Sequence, residues 1–134
     1  SARIAQAYDF ITNKEKGFDE PISEGGSNVS GGQKQRLSIA RALVRKPEIY
    51  IFDDSFSALD FKTDAILRKA LKKETTDAIV LIVAQRIGSI MDADKIIVLD
   101  EGKVVGVGKH KELLKTCNVY HEIALSQLTE EELA

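Results

Sequence analysis

The run Ile49-Tyr50-Ile51-Phe52, ending in Asp53 and Asp54, constrains this chain more than any other segment. Continuous apolar runs of this length are strands buried on both faces of a parallel sheet, and this one delivers two acids to the sheet's carboxyl edge. Parallel strands need helical crossovers, which the flanking sequence supplies. Leu37, Ile39, Ala40, Leu43 and Val44 form one apolar helical face, begun by an N-cap at Ser30 and closed by Pro47. Ile66, Leu67, Ala70 and Leu71 mark the next helix, and Ile79–Ala84 a second buried strand. Ile96–Leu99 is a third strand, turned by Glu101-Gly102 into Val104–Val107 as a hairpin. Short helices are expected around Glu112–Lys115 and Val119–Gln127. Another is expected over residues 2–13, where Ile4, Ala5, Ala7, Tyr8 and Ile11 recur at helical spacing. Gly17 to Asn28, with Pro21, Gly25 and Gly26, reads as a loop. Strands alternating with helices give an α/β class.

Composition narrows the function. The 134 residues suffice for one core. A net charge of −2, from 19 basic and 21 acidic residues, leaves no electrostatic footprint for nucleic acid. The single Cys117 excludes an internal disulfide, fits a reducing compartment and reads as a small buried apolar residue. The longest apolar run, Ala78 to Ala84, is strand-sized and far short of the ~20 residues of a membrane helix. With no signal peptide in view, the piece is expected to be soluble, though free to dock on a membrane protein. His110 and His121 lack partners at ligand spacing and are expected in surface or capping roles. Arg36, Arg41, Arg45 and Lys46 read as a solvated helix face with one phosphate-facing member.

The chemistry concentrates in Val29-Ser30-Gly31-Gly32-Gln33-Lys34-Gln35-Arg36. Two glycines after a serine, at the mouth of a helix, make an anion site: glycine lets a phosphate approach the backbone, and first-turn N–H groups and the helix dipole point at it. A bare Ser-Gly-Gly is read more simply as a Ser-capped helix after a glycine turn. Asp53, at a strand end, can hold Mg²⁺ through its water shell, or serve as a cap there.

The longer context reverses the simpler reading of Ser-Gly-Gly as a plain helix cap. VSGGQKQRLSIARAL resembles the signature of the ABC ATPases, usually LSGGQ, with Val29 in place of the leucine. IYIFDDSFSALD resembles the family's Walker B strand running into its D-loop, IVLIVAQR its switch-loop strand, and DKIIVLDEGKVVGVGKHKELL its closing hairpin and helix. GFDEPISEGGSNVSGGQ, with Glu24 ahead of the signature, looks like the exporter type, whose loop contacts coupling helices of the transmembrane domains. The resemblance covers nearly the whole chain. It implies the C-terminal portion of a P-loop NTPase-like ABC ATPase domain. Residues 1–46 would be part of the helical subdomain, 47–128 the Walker B half of the sheet with hairpin and C-terminal helices, and 129–134 an acidic tail around Glu130–Glu132.

In that family two domains sandwich two ATP molecules head to tail. The resemblance places Asp53 (Mg²⁺, through water), Asp54 and Gln85 in this chain's own site. It gives Ser30, Gly31, Gly32 and Gln33 to the partner's site, and Ser57, Ala58, Leu59 and Asp60 to a D-loop crossing the interface. Three departures stand out. Asp54 replaces the catalytic glutamate that polarises water, one methylene short, and a misplacement of about 1 Å can cost on the order of 10²-fold. Gln85 replaces the switch histidine; an amide can bond the γ-phosphate but cannot become a cation. No G-x-x-x-x-G-K-[ST] loop occurs in the sequence, so the reading expects a fragment without its P-loop, inactive alone. Lys109 stands where the family usually has threonine, a better N-cap.

The resemblance thus implies the degenerate-site half of a heterodimeric, multidrug-type exporter. It would use ATP and Mg²⁺ beside a second nucleotide-binding domain and its own transmembrane domains, at the cytoplasmic face of the cell membrane. The alternatives are a homodimeric exporter working slowly through Asp54, a soluble ABC protein of DNA maintenance or translation, and a non-catalytic interaction fragment.

Overall fold

The computed structural model describes residues 1–129; the acidic run Glu130–Glu132 lies outside the described residues. The chain forms two compact units, one over Ser1–Val83 and one from Ala84 onward.

In the first unit, a short helix α1 (Tyr8–Thr12) precedes a long connection with single 3₁₀ turns at Gly17–Asp19 and Glu24–Gly26. Helix α2 (Gly31–Val44) leads to strand β1 (Ile49–Asp53), and α3 (Phe61–Glu74) crosses over to β2 (Ile79–Val83). The two strands pair in parallel, Ile49 with Ile79 through Asp53 with Val83. Ile39 and Leu43 of α2, Leu67 and Leu71 of α3, and Tyr50 and Phe52 of β1 share one core with Ala5, Ala7, Ile11, Phe56 and Leu59. Each such side chain contributes about 1.5–3 kcal/mol of burial for the large apolar types.

Two expectations are corrected here. The first helix is a single turn and a half, Tyr8–Thr12, rather than residues 2–13, because Ala5 and Ala7 are buried within a run of turns. Strand β1 is buried on one face only: Tyr50 and Phe52 point into the core, while Ile49 and Ile51 are exposed, Ile51 at 67%. In β2, Ile79, Leu81 and Val83 are likewise exposed. Among the described residues nothing covers that second face. Apolar patches of this kind mark interaction surfaces in folded proteins.

In the second unit, β3 (Ile96–Asp100) and β4 (Lys103–Gly108) form the expected antiparallel hairpin. Its two-residue loop has Glu101 and Gly102 both at positive φ, 46° and 75°, the pattern of a type I′ turn whose twist matches the strands. Val105 has no partner opposite, a bulge at the Val98/Leu99 step. Helices α4 (His110–Thr116) and α5 (Asn118–Gln127) follow. Leu113, Cys117, Tyr120 and Ala124 pack with Ile87, Ile96 and Val98. Cys117 is a buried free thiol, as its type suggested.

His110 is not at the surface. It is buried, and its Nδ1 lies 2.8 Å from the Tyr120 hydroxyl, whose own pKa burial pushes up. Lys109 cannot accept a capping bond, but half of a capping box survives: its backbone N–H donates to the Glu112 carboxylate at 2.9 Å.

Candidate functional site

The glycine edge of α2 is built by local chemistry. Ser30 is extended, with φ −69° and ψ 163°, and caps the helix. Its hydroxyl oxygen accepts from the Gln33 N–H at 3.2 Å, and the Gln33 carbonyl Oε1 accepts from the Ser30 N–H at 3.0 Å. This closed box uses up the third-residue donor and leaves the N–H groups of Gly31 and Gly32 as the outward donors of the first turn. The two glycines differ. A Cβ on Gly32 would lie 3.0 Å from the Ala58 carbonyl oxygen, so that glycine lets the helix sit tightly on the turn after β1. A Cβ on Gly31 would meet only the Ala58 methyl, at an ordinary 3.7 Å. Packing inside this chain therefore does not require glycine at 31.

The acid end of β1 is built from a distance. Asp53 ends the strand and is exposed; Asp54 follows it, exposed too, with φ of 47°. The left-handed region costs an L-residue about 1 kcal/mol, and Asp is among the side chains that tolerate it. The Asp54 N–H donates to the Val83 carbonyl of β2 at 3.0 Å. Its carbonyl accepts from the Ser57 hydroxyl at 3.1 Å and from Gln35 Nε2 at 3.1 Å. Gln35 also donates to Ser57 Oγ at 3.1 Å, and its Oε1 accepts from the Ala58 N–H at 3.0 Å. One side chain of α2 thus ties down three residues of the Asp54–Ala58 turn. Sequence reasoning passed over Gln35. The available signal was its spacing, four residues after Gly31 and three after Gly32, which puts it on the face of α2 that carries the glycines.

Ser57, Ala58 and Leu59 make the turn itself, with Leu59 buried in the core, and Asp60 caps α3. Asp60 Oδ1 accepts from the Thr63 N–H at 2.9 Å, and that backbone bond, reinforced by the Thr63 side chain, lowers its pKa below 3.8. Arg36 is committed inside the unit: its guanidinium donates to the Gln6 carbonyl at 2.7 Å and lies 4.8 Å over the Phe10 ring.

Glu24 sits exposed in its 3₁₀ turn, in a loop braced by Asn28, which accepts from the Ser23 N–H at 3.1 Å and donates to the Pro21 carbonyl at 2.9 Å. In the second unit, Gln85 is exposed. Its carbonyl accepts from Gln127 Nε2 at 2.9 Å, and Gln127 Oε1 accepts from the Ile87 N–H at 2.9 Å. Gln127 was also missed; its partners lie about forty residues away, and no local pattern announces them.

Among the described residues there is no cluster of three or more His, Cys, Asp or Glu side chains able to cage a metal. A lone exposed carboxylate such as Asp53 fits a water-mediated contact to a Mg²⁺ ion carried by phosphates, not a dedicated protein site. No helix among the described residues is long and apolar enough to cross a membrane.

Comparison with known proteins gives consistent matches. Residues 2–57 match the family model described as ABC transporter. An uncharacterized ABC transporter ATP-binding protein of Mycobacterium bovis is 48% identical over 125 residues, covering 93% of this chain and 21% of that protein. The alpha-hemolysin translocation ATP-binding protein HlyB of Escherichia coli is 45% identical over 114 residues, 85% of this chain and 16% of that protein. A solved structure of a bacterial Atm1-family ABC exporter with ATP bound superposes with a TM-score of 0.91 at 36% identity, over 96% of this chain and 23% of that one. The chain spans about a fifth or less of the length of these relatives.

Proposed function

Because this chain belongs to the ABC transporter ATP-binding family, we propose that it is the part of an exporter's nucleotide-binding domain that supplies the signature, Walker B, D-loop and switch segments. The whole domain couples ATP binding and hydrolysis to export at the cytoplasmic face of a membrane. The glycine edge Ser30–Gln33 receives the phosphates held by a second nucleotide-binding domain. Asp53 holds Mg²⁺ through water, where the ion neutralises phosphate charge. Asp54 polarises the attacking water, and Gln85 hydrogen-bonds the γ-phosphate. Ser57–Asp60 crosses to the partner, and the Glu24 loop meets the transmembrane domains. The open face of β1 and β2 is where the remainder of the ATPase domain, with its P-loop, packs.

The observation that carries the reading is Gly31. It stands at the mouth of a helix closed by a capping box, where its own chain leaves room for a side chain, yet it has none. Phosphate approach to the backbone explains that choice. Asp54 and Gln85 weaken the chain's own site, and an intact glycine edge serves the partner's site. This division makes the chain the slow half of a heterodimer.

The test is Mg-ATP turnover by the membrane-embedded full-length protein purified with its partner. Absence of turnover above that of empty membranes sinks the reading. The 134 residues alone are expected to hydrolyse nothing and to show no calorimetric binding of Mg-ATP below roughly millimolar, since the P-loop amides and lysine supply most phosphate contacts. Micromolar binding by the purified 134-residue chain would overturn that expectation.

A further inference from the structure

We propose that Gln35 is a positioning residue for Asp54, holding its backbone in the left-handed conformation that sets where the carboxylate leaves the end of β1. The argument starts from Asp54 at φ 47°, a conformation that persists only where the surroundings over-determine it. Its N–H is fixed on Val83 of β2. Its carbonyl accepts from Gln35 Nε2, from Ser57 Oγ and, at a long 3.5 Å, from the Ser57 N–H, and Gln35 also donates to that same Ser57 oxygen, closing a triangle. The amide's orientation is settled by Ala58, whose N–H needs an acceptor and finds Oε1. All of the amide's donors and its acceptor are therefore spent on the turn that carries Asp54. Released to an ordinary negative φ, residue 54 would swing its Cα–Cβ bond and move the carboxylate by more than the roughly 1 Å that costs a catalytic group its alignment. The catalytic consequence rests on the reading of Asp54 as the water-polarising group; the backbone role does not.

Two variants of the full-length protein test it. Gln35→Ala removes the clasp; Gln35→Glu keeps an acceptor for Ala58 but offers no donor to the Asp54 carbonyl. Hydrogen exchange resolved to single amides is the first measurement. The Asp54 amide, which Gln35 does not touch, should exchange at least about tenfold faster in both variants. The Ala58 amide should speed up only in Gln35→Ala, and Tyr50–Phe52 in neither. The second measurement is single-turnover hydrolysis with the partner's catalytic carboxylate removed. The rate should fall about tenfold in both variants, with half-saturation by Mg-ATP within about twofold. Unchanged exchange at Asp54, a change confined to Ala58, or a loss appearing only in ATP affinity overturns the proposal. If Gln35→Ala fails to fold, Gln35→Glu carries the same comparison. A wild-type protein without any turnover would instead sink the ATPase reading, and the exchange data would still decide the role of Gln35.

Discussion

The glycine edge of α2 and the acid end of β1 lie at opposite ends of one clasp, and they are made in opposite ways. At the edge, the bonds that shape the backbone stay within about one helical turn: Ser30 to Gln33, Gln33 back to Ser30, and the Lys34 N–H to the Ser30 carbonyl. At the acid end, Ser57 is a local partner of Asp54, but its other bonds come from Gln35, nineteen positions earlier, and from Val83 of β2, far later in the chain. The first is unstrained; the second holds a non-glycine residue at positive φ. A self-contained helix end can be carried as a unit and presented to a partner. A strained turn depends on its neighbours and is the place where small changes in side chain translate into changes in geometry. This contrast fits the proposed division of labour, an intact surface lent to the partner and a weakened site kept by the chain.

The largest expected effect tests the glycine edge. Gly31→Asp places a negative charge where the partner's phosphate is proposed to sit. Turnover of the assembled pair should fall on the order of 10²-fold or more, the scale on which single anion-stabilising groups act. The fold should survive, because the Cβ has room and an acid in the first turn favours the helix dipole. The melting midpoint is expected to move by no more than about 2 °C. Unchanged turnover would remove the edge from the competent site.

Next comes the acid end. Asp54→Glu together with Gln85→His should raise hydrolysis by the chain's own site about tenfold, while either change alone does less. Non-additivity is expected because the proposal gives both residues to one step. Additive, independent gains would show that the two departures are unrelated. Loss of transport with ATP binding intact in Asp54→Glu alone would point to a site needed in its slow form.

The same contrast explains what was legible. The Ser30 cap, the hairpin turn at Glu101-Gly102 and the positions of β1 to β4 follow from local patterns, and each is where the sequence places it. The long-range bonds of Gln35 and Gln127 carry no local signature, so both residues went unnoticed. Burial failed for a different reason. Ile49-Tyr50-Ile51-Phe52 has the composition of a strand covered twice, but these residues supply a cover for one face only. His110 was misjudged because its partner Tyr120 is brought to it by the packing of α4 and α5.

A smaller effect separates the two glycines. Gly32→Ala must push its methyl to within 3.0 Å of the Ala58 carbonyl oxygen. It should destabilise the protein by about 1 kcal/mol, the lower end of overpacking costs, since one backbone oxygen has to give way. Gly31→Ala should be neutral or stabilising by a few tenths of a kcal/mol to about 1 kcal/mol, through helix propensity. Denaturant midpoints of the two variants, measured side by side, check the ordering. If Gly31→Ala proved the more costly, room at position 31 would not be what the fold provides.

The smallest effect lies at the end of the turn, where Asp60 links the D-loop segment to α3. Its carboxylate accepts the Thr63 N–H, and that bond holds its pKa below the ordinary 3.8. A carboxyl whose pKa is lower in the folded state binds its proton more weakly there than in the unfolded chain. The stability it contributes is therefore fully present above the unfolded value and is lost as pH falls through the lower folded one. Because Asp60 is solvent-exposed, the change should be slight and weakened by salt. Asp60→Asn keeps an oxygen acceptor for the cap but cannot titrate. Melting midpoints of wild type and Asp60→Asn should nearly coincide at neutral pH. Below pH 3.8 the wild type should lose stability with a steeper slope than the variant. Parallel slopes would mean that the Thr63 bond does not distinguish the charged from the neutral carboxyl, and that Asp60 serves α3 no better than an amide does.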